Sequence, residues 1–164
     1  MVLYFSIIQK YKTKLKQLNL PEYSFKLRGS EDQEMIFDTI RRRYVKLTPE
    51  EWVRQNFVRY LVHEGKYPAG LIGIEVLTRW NKMSRRVDIL IHNRIGKPVM
   101  IVECKSPDVK IDEDVFDQIV CYNMGFRVPR IIVTNGMVHY ACILKDDKPG
   151  YDYLNVIPLY EELL

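Results

Sequence analysis

The segment Arg86-Val87-Asp88-Ile89-Leu90-Ile91-His92, and after the loop Asn93 to Pro98 the segment Val99-Met100-Ile101-Val102-Glu103-Cys104-Lys105, decide how this chain reads. Val99 to Val102 is the unbroken apolar run of a strand buried on both faces. It passes directly into Glu103-Cys104-Lys105. Charges at the end of a buried strand need partners, a metal or a water-filled cleft. Glu103 and Lys105 are two apart and share a strand face. A hairpin closing His92 against Val99 sets Asp88 directly opposite Glu103, with β-carbons about 4.5–5.5 Å apart. Two carboxylates that close repel unless a cation lies between them. Such an oxygen-rich site suits Mg2+, with Mn2+ as substitute, because Mg2+ takes one or two carboxylates and completes its shell with water and phosphate oxygens. Lys105 can orient a water or stabilise charge in a phosphoryl-transfer transition state. The plainer alternative is a cross-strand ion pair, Asp88 with Lys105 or Glu103 with Arg86.

Outward from this core the pattern is α/β. Thr48-Pro49-Glu50-Glu51 is a helix start in which Thr48 caps, Pro49 takes the first position and Glu51 completes a capping box. The helix runs through Trp52, Val53, Phe57, Tyr60 and Leu61 to about Gly65. Leu71 to Arg79 alternates as a strand, Asn81 to Ser84 is a turn, and Arg86 to His92 and Val99 to Lys105 follow as strands. Asp112 to Phe126 is helical with an acidic first turn. Arg130 to Thr134 is an apolar strand, Asn135-Gly136 a hairpin turn, Met137 to Leu144 the returning strand, and Leu154 to Ile157 a short closing strand. Val99 to Thr134 is thus a strand-helix-strand unit with parallel strands and a right-handed crossover. The expected architecture is an α/β sandwich around a mixed sheet.

Residues 1–18 predict an amphipathic helical extension, with Tyr4, Ile7, Ile8, Tyr11 and Leu15 at helical spacing among lysines. Residues 19–48 read as a connector with little pattern, and its cluster Arg41, Arg42, Arg43 and Lys46 as a phosphate contact or, more commonly, solvated surface. Residues 19–164 are expected to form one domain.

The 164 residues suit a single core, and 47% hydrophobic with 28% charged residues argues against disorder. Twenty-five basic and 21 acidic residues leave +4, which permits a phosphate-rich partner without requiring one. Cys104, Cys121 and Cys142 are odd in number and dispersed, which fits neither a disulfide framework nor a zinc site and points to the reducing cytoplasm. The early apolar run Val2 to Ile8 is too short to cross about 30 Å of hydrocarbon and lacks the flanks of a secretory signal. No phosphate-loop or dinucleotide glycine motif occurs, so no nucleotide cofactor is expected.

Asp88 with Glu103-Cys104-Lys105 resembles the PD-(D/E)xK nuclease superfamily, and more closely the N-terminal nuclease domain of type I restriction enzyme R subunits. The match is carried by Arg86-Val87-Asp88-Ile89-Leu90-Ile91, Gly96 to Pro107, the Gln118-x-x-x-Tyr122 spacing and the start Thr48 to Gln55. The resemblance implies a restriction-endonuclease-like α/β/α sandwich with a central mixed sheet. It implies that Asp88 and Glu103 ligate Mg2+ with the backbone carbonyl of Cys104 nearby, and that Lys105 positions or activates water. Gln118 and Tyr122, four apart on one helix face, support the site or contact nucleic acid; for Tyr122 core packing is an equal alternative. An acidic residue of the first helix often joins the metal shell, for which Glu51 or Glu50 would serve, although capping already explains Glu51. Arg79, Arg85 and Arg86 lie where they would grip phosphates, or form a solvated strand end.

The reading is therefore a Mg2+-dependent endodeoxyribonuclease without the motor of the large subunit. Its partners would be DNA and restriction-modification subunits or a second copy of the chain. The alternative is a non-cleaving nucleic-acid-binding or assembly subunit of a restriction-type complex with the same fold.

Overall fold

The computed structural model describes residues 15–30, 33–80, 83–124, 127–145 and 150–163, with the side chains at 78–80, 83, 85, 122 and 124 outside that description. Most of the predicted N-terminal helix, and Asn81 and Lys82 of the predicted turn, fall outside the described residues, while Met83 and Ser84, expected in that turn, belong to a strand that pairs them with Trp80 and Arg79.

The elements run β1 (Leu27–Arg28), β2 (Met35–Asp38), β3 (Arg43–Lys46), α1 (Pro49–His63), a 3-10 turn (Ala69–Leu71), β4 (Ile72–Trp80), β5 (Met83–His92), β6 (Pro98–Cys104), α2 (Glu113–Met124), β7 (Arg130–Thr134), β8 (His139–Leu144), β9 (Tyr151–Leu154) and a 3-10 turn (Tyr160–Leu163). β4 to β9 form a six-stranded sheet in chain order. All its neighbours are antiparallel except β6 and β7, the parallel pair bridged by α2. The expected mixed sheet and crossover are what the chain builds.

Helix α1 begins where Thr48 Oγ1 accepts the Glu51 N–H at 3.0 Å and Pro49 occupies the first turn. Val53, Phe57 and Leu61, spaced by four, make the stripe that faces the sheet. They pack on Ile89, Ile91, Met100, Val102 and Cys104. Each such side chain contributes about 1.5–3 kcal/mol by leaving water. On the opposite face Phe116 and Val120 of α2 pack on Ile131, Val133 and Cys142. The alternation of β6 and β7 thus serves two cores, one per face, giving an α/β/α sandwich.

Two expectations are corrected. Residues 19–48 are not a plain connector: β1, β2 and β3 form a separate three-stranded antiparallel sheet. Strands of two to four residues are too short to declare a period. The closing strand is Tyr151–Leu154 rather than Leu154 to Ile157, because pairing with β8 runs from Leu144–Tyr151 to Ala141–Leu154. That register stacks Tyr153 on the buried Phe116 ring at 5.2 Å.

One irregularity positions the site. In the β4–β5 ladder Ile74 pairs with Ile89 and Val76 with Val87, while Glu75 and Asp88 drop out. Glu75 has φ 51, a left-handed conformation that is costly for a residue with a β-carbon. Val87, Leu90 and Ile101 then share one small core with Val76, so the alternation of β5 slips at Asp88. A β-carbon at Gly73 would lie 2.5 Å from Val76 Cγ2, which explains glycine at that position.

Candidate functional site

Asp88 lies where β5 and β6 part. The ladder pairs Ile91 with Met100, Leu90 with Ile101 and Ile89 with Val102, in the register set by the apolar pattern, with a bulge that moves His92 onto Pro98. The pairing stops at Ile89–Val102, so Asp88 and Glu103 are not the direct cross-strand pair expected. The physical reason is the kink at Glu75 and Asp88. In place of a ladder carbonyl, the Asp88 side chain closes the gap: Oδ2 accepts the Cys104 N–H at 2.8 Å. That N–H belongs to the peptide joining Glu103 to Cys104.

Glu103 is 4% exposed and pairs through its backbone with Val133 of β7. Its neighbours Val102 and Cys104 face α1, so strand alternation places Glu103 on the α2 face, whereas Asp88 bonds Arg54 of α1; the two carboxylates do not share the sheet face expected of them. Lys105 is half-buried, and its N–H donates to Thr134 O at 2.8 Å on the β7 side. The N–H and C=O of one strand residue face the same neighbour. Since the Cys104 N–H faces Asp88, the Cys104 carbonyl does so too. The Cys104 thiol is fully buried and is held well above the usual thiol range by burial, then by the charge of Asp88, with smaller contributions from Glu103 and Glu50. Both carboxylates therefore act on one residue.

The cation beside Asp88 is neither Lys105 nor any strand arginine but Arg54, on the second turn of α1. Its Nη2 donates to Asp88 Oδ1 at 2.9 Å and to Glu50 at 3.3 Å, its Nη1 binds Glu51, and Glu75 Oε1 is 3.8 Å away. Arg41 mirrors it, binding Asp38 at 2.6 Å, Glu51 at 3.0 Å, and Glu75. Gln55 Nε2 bridges Asp38 at 2.9 Å and Glu51 at 2.8 Å. Arg41 is thus 12% exposed by side chain and not the solvated surface expected of a basic run. Glu51 likewise serves more than a cap. Its N–H takes Thr48, but its carboxylate turns to Arg41, Arg54 and Gln55 instead of closing the capping box. Two guanidiniums face five carboxylates, Asp38, Glu50, Glu51, Glu75 and Asp88, and the excess is negative.

That excess shifts the titration of its members. Burial and the Asp88 charge raise the Glu50 carboxyl, against the pull of Arg54 and Lys105. Lys105 therefore shares the neighbourhood of Asp88 and Glu50. Burial works against the charged Arg54 guanidinium, but Asp88 and Glu51 outweigh it and hold the group above its ordinary value.

Among the other predicted site residues, Gln118 is exposed on α2 while Phe116 and Val120 of the same helix are buried. The Tyr122 side chain lies outside the described residues, as do those of Arg79 and Arg85, whose backbones pair with Ser84 and Thr78. Arg86 is exposed. Arg54, Arg41, Asp38 and Glu75 are the charged members that sequence reading missed. Their one signal was Arg54-Gln55 within a recognisable helix start.

The sequence that builds this mixed α/β domain matches a known protein family. The family model described as type I restriction enzyme R protein N terminus (HSDR_N) matches residues 49–158, and the chain belongs to that family. No curated protein matches. Among solved structures, a fragment described as an HsdR subunit of a type I restriction enzyme from Vibrio vulnificus YJ016 aligns with TM-score 0.48 and 18% identity, over 71% of this chain and 24% of that one. The chain spans about a quarter of the length of that fragment. Among the described residues no helix is long and apolar enough to cross a membrane.

Proposed function

We propose that this chain is a metal-dependent DNA endonuclease of the PD-(D/E)xK type, acting as the nuclease domain of a restriction system. The observation that carries the reading is the contact of Asp88 Oδ2 with the Cys104 N–H. It brings the first acidic residue of the motif onto the Glu103-Cys104-Lys105 strand end.

The donor set fits Mg2+. Among the described residues no three His, Cys, Asp or Glu side chains are grouped to hold a metal. Mg2+ needs no such cage; it binds through one or two carboxylates and otherwise keeps water and phosphate oxygens. Each carboxylate oxygen of Asp88 accepts one bond from the chain and retains acceptor capacity for a second. Asp88 and the Cys104 carbonyl, which face the fork between β5 and β6, would hold the ion, and Glu103 would join them only by reaching round the strand end from the α2 face; when bound, the ion would supply charge for an in-line displacement at phosphorus. Lys105 would orient the attacking water and stabilise negative charge as it develops on the phosphoryl oxygens. Glu50, its carboxyl raised by burial and the Asp88 charge, would be a group able to take up a proton. Gln118, exposed on α2, and Arg86, exposed on β5, would contact the DNA backbone, which adds affinity without sequence information.

A second reading draws on Arg54, which already fills one side of Asp88. In it the chain binds DNA or joins a restriction complex without cutting. Incubating the purified chain with plasmid and single-stranded DNA in Mg2+, Mn2+ or chelator separates the two. Metal-dependent nicking or linearisation, lost in Asp88→Asn and Lys105→Ala with DNA retention intact, is expected. No cleavage of either DNA, with normal retention, would leave the binding reading standing.

A further inference from the structure

Arg54 is bound by carboxylates from three elements: Glu50 and Glu51 of its own helix, Glu75 at the kink of β4, and Asp88 at the fork. Its side chain is 5% exposed, so it is fixed in place rather than sampling solvent. The bond to Asp88 is the one that reaches toward the motif strand. If that bond opened, the guanidinium would keep Glu50, Glu51 and Glu75, and would not be stranded as a buried unpaired charge. A cation held by four acids, three of which suffice, is built to release the fourth.

We propose that Arg54 is the internal counter-ion that a divalent cation displaces from Asp88, a positioning residue that keeps Asp88 aimed at the Cys104 peptide until metal arrives. The inference rests on reading Asp88 as a metal ligand. Two consequences follow from charge. Arg54 repels the incoming ion and occupies Asp88 Oδ1, so it weakens metal binding. It also neutralises the acidic cluster, so it stabilises the metal-free fold.

The test is binding of Mn2+ alone, without DNA, followed by the electron paramagnetic resonance signal of the free ion. Arg54→Gln keeps a hydrogen-bonding side chain and removes the charge. It should bind Mn2+ about tenfold more tightly than wild type, equivalent to about 1.4 kcal/mol. It should also melt lower without metal and regain more of its melting temperature on saturation. Arg54→Lys keeps the charge but loses the fork that spans Glu51 and Asp88, and should show a smaller gain in affinity. In the wild-type protein, Mg2+ should move the Arg54 side-chain 15N resonances, and in Asp88→Asn it should not; this measurement decides if Arg54→Gln fails to fold.

A folded Arg54→Gln that binds Mn2+ no more tightly than wild type overturns the counter-ion role, while the metal reading survives on Asp88-dependent binding by wild type. Wild type silent toward Mn2+ while Arg54→Gln binds it also overturns the proposal, because the ion then never displaces Arg54 from Asp88, while the metal reading survives on the variant's binding. Silence from both overturns both.

Discussion

Asp88 Oδ2 accepts the main-chain N–H of Cys104 at 2.8 Å, so a side chain does the work of a strand carbonyl at the point where β5 and β6 separate. The same carboxylate holds Arg54 through Oδ1. Its removal therefore has two effects that must be kept apart. Asp88→Asn retains an oxygen for one donor, and its stability should fall by less than about 1 kcal/mol. Asp88→Ala leaves the Cys104 N–H without its acceptor and takes one of four carboxylates from the buried Arg54 guanidinium, and should cost about 2–3 kcal/mol. Urea denaturation of the two variants checks this, and equal losses would show that the contact carries no structural weight. Asn is thus the substitution that reports on chemistry.

Cys104 lies inside the motif but contributes through its main chain. Its sulfur packs in the core beneath α1 and is 1% exposed, and burial then Asp88 keeps the thiol protonated. Cys104→Ala should cost about 1 kcal/mol for the small void and leave metal-dependent cleavage unchanged. With a thiol reagent under native conditions Cys121, which is exposed, should react first, and Cys104 and Cys142 only as the chain unfolds. Loss of cleavage in a folded Cys104→Ala protein would assign the sulfur a role that its burial denies.

How much of this was legible follows from the range of each interaction. The β5–β6 register could be read because the apolar face of each strand permits only one alignment without turning its core outward. Asn135-Gly136 could be read because Gly136 has φ 80, a conformation local chemistry demands. The pairing of Asp88 with Glu103 was a continuation of that register, and it failed at Glu75, whose left-handed backbone no pattern announces. Arg41 and Arg54 were hidden for another reason. Their partners lie up to 34 positions away, on elements whose packing depends on the whole fold. A basic run beside a tyrosine looks the same whether it is solvated or, as with Arg41, turned inward.

Arg41 should therefore behave as a structural residue. It is the cation that ties the small β1–β3 sheet, through Asp38, to Glu51 on α1 and Glu75 on β4. Arg41→Ala leaves these acids facing one another with Arg54 as their remaining guanidinium, and breaking a buried pair on one side costs about 3–5 kcal/mol. Arg41→Lys should recover only part of that loss, because one ammonium cannot reproduce a fork that contacts three carboxylates. Thermal unfolding of both variants is the check, and a change within about 0.5 kcal/mol for Arg41→Ala would mark the network as solvated.

The pH profile should carry the signature of His139. This ring is wedged between Phe57, at 5.6 Å between centroids, Thr134 Oγ1 at 2.7 Å and the Asn19 carbonyl at 3.1 Å. The carbonyl can only accept, so Nε2 carries the proton, and Nδ1 accepts the Thr134 hydroxyl proton. Thr134 Oγ1 in turn accepts the Gly136 N–H at 3.0 Å, which ties the ring to the turn. Burial lowers the His139 pKa below its usual 6.5, against a smaller upward pull from the Asn19 carbonyl. A depressed folded value means that the unfolded chain takes up a proton before the folded chain does. The stability His139 contributes is then fully present above about pH 6.5 and drains away as pH falls through the folded value. In His139→Gln, where nothing titrates at this position, the decline in melting temperature over that acidic interval should be shallower than in wild type. Parallel curves would mean that the ring protonates in place, and that the Thr134–His139–Asn19 chain tolerates the charge.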